Sequence, residues 1–83
     1  AYLIAEIGAE QMRLQRHKIA EACYRRSIAL SDDCNTRMHL ARALAAMRRL
    51  GEARDEFAHV AKTSTSETQQ AKALEQLSMI PAE

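Results

Sequence analysis

A pattern of small and large side chains in the first part of the chain recurs 33 residues further along. Four matched pairs share this offset: Ala20/Ala53, Tyr24/Phe57, Ile7/Leu40 and Gln11/Leu44 (53 − 20, 57 − 24, 40 − 7, 44 − 11). Self-similarity at a period of roughly 20–50 residues indicates structural units that stack along the chain. Because each unit must bury an apolar face against its neighbours, this repeat constrains the fold more than any other feature of the sequence.

The composition indicates that these units are helical. The 83 residues include only 2 Gly and 1 Pro, so few positions can form tight turns. Aromatic residues make up 4% of the chain and Trp is absent, so the core must consist of small and aliphatic side chains packed between closely spaced helices. We therefore expect an all-α fold and exclude all-β folds.

The spacing of apolar residues predicts five helices, near residues 2–14, 18–30, 36–48, 52–62 and 66–80. The apolar faces of the first and last helices are predicted to be Leu3, Ile4, Ile7 and Leu14, and Ala71, Leu74, Leu77 and Ile80. Ser64 precedes Glu67 by three residues, the spacing of a capping box, so Ser64 is the predicted N-cap of the fifth helix.

The repeated positions resemble the tetratricopeptide repeat, whose pattern is W-x2-L-G-x2-Y, then A-x3-F, then P over ~34 residues. The two copies read Ile4-x2-Ile7-Gly8-x2-Gln11 with Ala20-x3-Tyr24, and Arg37-x2-Leu40-Ala41-x2-Leu44 with Ala53-x3-Phe57. Gln11, Arg37 and the absence of proline at Asp32 and Thr65 depart from the pattern. Ankyrin repeats share a period of ~33, but their T-P-L-H motif is missing here. An unrelated helical bundle is the remaining alternative.

The resemblance implies a right-handed α-solenoid of antiparallel helix hairpins. We expect one tetratricopeptide-like domain over residues 1–83, with a first repeat at 1–33, a second at 34–65 and a capping helix at 66–80. Two repeats are fewer than the ~three that such stacks normally need. We therefore interpret the chain as a piece of a longer protein.

The resemblance also implies a non-catalytic scaffold that binds a peptide or a partner helix in its concave groove. The predicted partner-binding residues are Tyr2, Glu6, Met12, Arg13, Met38, His39, Arg42, Arg49 and Lys72. Such a surface suits a partly apolar protein ligand with acidic groups. Some members of the family clamp a C-terminal carboxylate with Lys and Asn, but Ala5 and Ala9 occupy those first-helix positions here, so we do not expect that clamp.

Two other functions remain as alternatives. The apolar end at Leu3 and Ile4 predicts either self-association or contact with neighbouring repeats. Nucleic-acid binding is less favoured, because the doublets Arg25-Arg26 and Arg48-Arg49 lack interleaved aromatic residues for stacking. Residues 1–50 carry nine Lys and Arg against five Asp and Glu, a net +4, and residues 51–83 carry three against six, a net −3.

The sequence contains no pattern that predicts catalysis or a bound cofactor. His17, His39 and His59 lack the spacing of metal ligands, so we expect no metal. Cys23 and Cys34 are too few for a disulfide framework, and we expect free thiols. We find no signal-peptide pattern and no apolar run of ~18 residues, so we expect no membrane span and favour a cytoplasmic location.

Overall fold

The computed structural model describes the backbone of residues 2–80 and the side chains of residues 3–80, and in this range it contains helices and no strand. The five helices are α1 (Tyr2–Arg13), α2 (His17–Leu30), α3 (Cys34–Ala46), α4 (Leu50–Thr63) and α5 (Glu67–Met79). Each helix packs against the next one along the chain, and α1 also contacts α3. The predicted all-α fold with five helices is confirmed, with every boundary within two residues.

The backbone itself repeats at the 33-residue offset. Gln15, after α1, has a φ of 60°, and Arg48, after α3, has a φ of 63°. The amide of Arg16 donates to the carbonyl of Gln11 at 2.8 Å, and the amide of Arg49 donates to the carbonyl of Leu44 at 2.9 Å. These bonds around a left-handed residue form the Schellman closure of a helix. Both turns therefore use a non-glycine residue where glycine is usual.

The linkers into α3 and α5 are also equivalent. Asp33 is the N-cap of α3, and its side chain accepts a hydrogen bond from the amide of Asn35 at 3.0 Å. Ser66, 33 residues later (66 − 33), caps α5 by accepting from the amide of Gln69 at 3.3 Å. The predicted cap at Ser64 is wrong, because the amide of Ser64 still donates to Val60 at the end of α4.

The core lies mainly between the two central helices and their neighbours. The fully buried apolar side chains are Ala20 and Tyr24 of α2, Leu40, Ala41, Ala43 and Leu44 of α3, Ala53, Phe57 and Val60 of α4, and Ala73 of α5. Gly8 of α1 lies against Tyr24, since a Cβ atom there would come within 2.8 Å of the ring atom Cε1. The small residue therefore allows the close approach of α1 and α2 that the repeat pattern predicts.

The predicted inward faces of the two outer helices are partly wrong. In α1, Leu3, Ile7 and Leu14 are exposed, and in α5, Ala71 and Leu74 are exposed. Leu77 and Ile80 pack against the core as predicted, and Ala73, which was not predicted to face inward, is fully buried. The physical reason is that α1 has no preceding helix and α5 no following helix within residues 2–80, so one side of each remains uncovered.

None of the five helices in residues 2–80 has both the length and the apolar content needed to cross a membrane.

Candidate functional site

A pocket of about 410 Å³ opens between α1 and α3. Its lining comprises Ala5, Glu6 and Ala9 of α1, Ser27 and Ser31 at the end of α2, and Asp33, Asn35, Thr36 and His39 at the start of α3. The two alanines of α1 leave this space open because their side chains end at Cβ. Glu6 and Asp33 give the pocket an acidic character.

A second pocket of about 440 Å³ lies between α3 and α5. Its lining comprises Asn35, Met38, His39 and Arg42 of α3, with Ser66, Thr68, Gln69 and Lys72 from the start of α5. The side-chain amide Nε2 of Gln69 donates to Oδ1 of Asn35 and joins the two walls. Among the described residues, Arg42 and Lys72 form no ion pair. Two uncompensated cations therefore face this pocket.

The two pockets are equivalent sites in the repeat. At an offset of 33 residues, the α1 wall of the first pocket corresponds to the α3 wall of the second, in the pairs Ala5/Met38, Glu6/His39 and Ala9/Arg42. The opposite wall of the first pocket, at the start of α3, corresponds to the start of α5, in the pairs Asp33/Ser66, Asn35/Thr68, Thr36/Gln69 and His39/Lys72. The backbone places these positions alike, while the side chains differ in charge. The face of α1, α3 and α5 thus carries an acidic pocket beside a basic one.

His39 lies at the junction of the two pockets and lines both. Its ring stacks on Tyr24, which α2 holds in the core. Desolvation lowers the pKa of His39, the positive charge of Arg42 lowers that pKa further, and Asp33 opposes the change. Burial likewise raises the pKa of Tyr24, which keeps the phenol neutral. The junction is therefore a neutral aromatic platform at physiological pH.

Five of the predicted site residues lie together on this face: Glu6, Met38, His39, Arg42 and Lys72. Met38 is largely buried and forms the floor of the second pocket with its remaining exposed surface. These five residues make up what we call the groove face, together with the other residues that line the two pockets.

Three predicted site residues lie away from the groove face. Met12 packs against the core and has its sulfur 3.4 Å from Nδ1 of His17. Arg13 forms an exposed ion pair with Glu10. Arg49 lines a shallow, largely apolar hollow of about 620 Å³ beside the turns, together with Arg16, His17, Lys18, Ile19 and Met47. The side chain of Tyr2, the remaining predicted residue, lies outside the described side chains.

The sequence reasoning missed the polar residues that the linkers contribute to the groove face. Asp33, Asn35, Thr36, Ser66 and Thr68 all line the two pockets, and none of them is among the predicted site residues. The signal that could have found them was the repeat itself, because a linker that begins one groove helix must lie at the mouth of the groove. Polar residues at equal offsets in the two linkers were therefore candidates for pocket walls.

The described part of the chain offers few side chains for metal binding or thiol chemistry. Residues 2–80 contain no group of three or more His, Cys, Asp or Glu side chains placed to hold a metal ion. Cys23 and Cys34 are free thiols, and the sulfur of Cys34 lies 3.6 Å from the hydroxyl of Thr63.

Comparison with protein-family models gives no match, and comparisons with curated proteins and with solved structures give no significant match.

Proposed function

We propose that this chain is a non-catalytic, tetratricopeptide-like interaction module that binds a peptide or helical segment of a partner protein along the groove face. The observation that carries this proposal is the pair of repeat-equivalent pockets, which adjoin at Asn35 and His39 and together span α1, α3 and α5. Adjoining pockets along α1, α3 and α5 suit an elongated ligand better than a compact small molecule.

The charges of the two pockets indicate the polarity of the ligand. Arg42 and Lys72 make no ion pair with any described residue, so an acidic group of the ligand would not compete with an existing carboxylate there. The first pocket instead presents Glu6 and Asp33, which favour a basic or hydrogen-bond-donating group. We therefore expect the preferred ligand to place small apolar residues between a basic end, over α1, and an acidic end, over α5.

Nucleic-acid binding is a weaker proposal for this surface. Arg25 binds the carboxylates of Glu21 and Glu52 at 2.9 and 3.3 Å, and Arg49 binds the same two carboxylates at 2.6 Å each. Each arginine doublet therefore has one member already engaged with acidic side chains. Phosphate binding at these arginines would first require the loss of those ion pairs.

The proposal is tested by selection from a random peptide library displayed on phage, with the purified chain as bait. We expect selected peptides to combine acidic, basic and small apolar residues, and to lose at least about tenfold in affinity for the double variant Arg42→Glu/Lys72→Glu. Arg26→Glu is the matched control, because Arg26 is exposed on α2 and lines neither pocket. Selected peptides that bind the double variant as well as the unchanged chain would contradict the groove assignment, provided that circular dichroism shows the same helix content.

A further inference from the structure

The outer side of α1 exposes a row of large apolar residues that its repeat equivalents bury. Ile7 of α1 corresponds to Leu40 of α3 and Ala73 of α5 (40 − 33 and 73 − 66). The side chain of Ile7 is 53% exposed, whereas Leu40 is 1% exposed and Ala73 is fully buried. Leu3 is 69% exposed, while its equivalent Thr36 (36 − 33) is buried. The position of Ile7 is therefore covered in both α3 and α5, and the position of Leu3 is covered in α3, whereas both residues are exposed on α1.

The element that covers these positions is the preceding helix. In residues 2–80, α5 packs closely against α4 alone, so the burial of Ala73 comes from the helix before it. The position next to it behaves in the opposite way: Ala41 is buried in α3, but its equivalent Leu74 in α5 is 57% exposed because no following helix covers it. The outer side of α1 is therefore shaped for a helix placed as α2 is placed on α3.

Arg16, at the start of α2, indicates the charge that such a helix would meet. Arg49, at the N-cap of α4, has φ −88° and ψ 68°, and its Nη1 lies 2.6 Å from Oε1 of Glu21 on α2. Arg16, its equivalent at the N-cap of α2 (49 − 33), has nearly the same backbone angles, φ −95° and ψ 68°. Arg16 makes no ion pair with any described residue. Arg49 binds Glu21 on the helix that precedes it, and the described residues contain no equivalent glutamate for Arg16.

We propose that the outer side of α1, formed by Leu3, Ile7 and Leu14 with Arg16 at one end, binds an amphipathic helix of a partner protein that has the chemistry of α2. In α2 a small residue, Ala20, is followed directly by the acidic Glu21, and an aromatic ring stands four residues after the alanine at Tyr24. The partner helix presents its small and aromatic residues to α1 and its carboxylate to Arg16. None of Leu3, Ile7, Leu14 and Arg16 lines the two pockets of the groove face, and the proposal does not depend on the peptide-binding function.

The test uses a synthetic peptide that copies residues 16–31, stapled on its outer side so that circular dichroism shows it to be helical. We expect it to bind the full chain in solution, as measured by isothermal titration calorimetry. Ile7→Asp should abolish binding, and Arg16→Glu should weaken it by about tenfold. Replacement of the peptide's glutamate by arginine should restore the affinity for the Arg16→Glu variant. Both substitutions lie at exposed positions, so the chain should keep its helix content.

Leu74→Asp is the matched control, because Leu74 is as exposed as Ile7 but lies at the other end of the molecule. Peptide binding should be unchanged in this variant. The proposal is overturned if the helical peptide does not bind, if Ile7→Asp binds it equally well, or if Leu74→Asp abolishes binding instead. Sedimentation equilibrium adds one more outcome: a dimer that Ile7→Asp converts to monomer would assign this surface to a second copy of the chain and overturn the proposal.

Discussion

The ring of Tyr24 stacks on the ring of His39, with 5.7 Å between the ring centroids and 18° between the ring planes. This contact connects the first helix pair to the second, because Tyr24 belongs to α2 and His39 to α3. It also places a titratable ring at the junction of the two pockets. A change in the charge of His39 would therefore affect both stability and the groove face.

We predict that acidification destabilises the chain through His39. Desolvation and Arg42 lower the pKa of His39 in the folded state, so the unfolded chain binds more protons once the pH falls below about 6.5. The free energy of unfolding should therefore decrease from pH 7.5 to pH 5.5, as measured by urea denaturation. His39→Gln should reduce this decrease, whereas His59→Gln, at an exposed position of α4, should retain it. An NMR titration that places the pKa of His39 above about 6.5 would contradict the prediction.

Gly8→Ala should destabilise the fold by about 1–3 kcal/mol. The added Cβ would lie 2.8 Å from Cε1 of Tyr24, and the tyrosine ring is buried and held against His39. Gly51→Ala is the matched control, since a Cβ at that position in α4 would have no atom within 4 Å apart from its own local stretch of helix. The control should raise stability by about 0.5–1 kcal/mol, because alanine favours the helix over glycine. Thermal unfolding of the two variants should shift in opposite directions, and equal shifts would disprove the close contact at Gly8.

Gln15→Gly should stabilise the chain by about 0.5–1 kcal/mol. Gln15 has a φ of 60°, a conformation that glycine adopts without the steric cost of a Cβ atom. Gln15→Ala keeps that cost and should leave the unfolding free energy nearly unchanged. Chemical denaturation of both variants measures the difference. A destabilised glycine variant would mean that the polar side chain, rather than the backbone, determines the turn.

Arg37→Met should cost about 1 kcal/mol. Its guanidinium binds both carboxylate oxygens of Asp32 at 2.7 and 3.0 Å and reaches Glu56 of α4 at 2.9 Å. These hydrogen bonds from Arg37 lower the pKa of Asp32, so their stabilisation should disappear as the pH falls below the usual range of an aspartate. The difference between Arg37→Met and the unchanged chain should therefore shrink near pH 3. Arg26→Met, at an exposed position that forms no ion pair with any residue in the described range, should have no measurable effect at either pH.

Ser66→Ala should destabilise α5 by about 1 kcal/mol, the usual cost of losing an N-cap. The hydroxyl of Ser66 accepts a hydrogen bond from the backbone amide of Gln69, and the first amides of a helix have no carbonyl partner within the helix. Thr65→Ala changes an exposed neighbour and should have little effect. Hydrogen exchange of the α5 amides should become faster in Ser66→Ala and stay the same in Thr65→Ala. Faster exchange in the control alone would contradict the assignment of the cap.

The helices and the period of the repeat could be read from the sequence because both depend on local chemistry. Ala20-x3-Tyr24 and Ala53-x3-Phe57 mark the same helix positions in two copies, and each pair is buried in the structure. The left-handed turns at Gln15 and Arg48 could not be predicted, since neither residue type favours a positive φ on its own. Those turns exist because the packing of successive helices determines where the chain must reverse.

The candidate site also has a part that the sequence could predict and a part that only the tertiary structure determines. His39 and Arg42 could be placed on one face of α3 from helical spacing alone, because side chains at fixed intervals share a face of a helix. Only the resemblance to the tetratricopeptide repeat predicted that Glu6 of α1 lies on the same surface. Only the tertiary structure separated Arg49 from that surface and joined it to Glu21, since a contact between distant segments is not encoded by spacing within either helix. In the same way, Ile7 and Leu74 read as core residues because each is apolar and periodic. Their exposure depends on which helix packs beside them, and that is a property of the assembled fold.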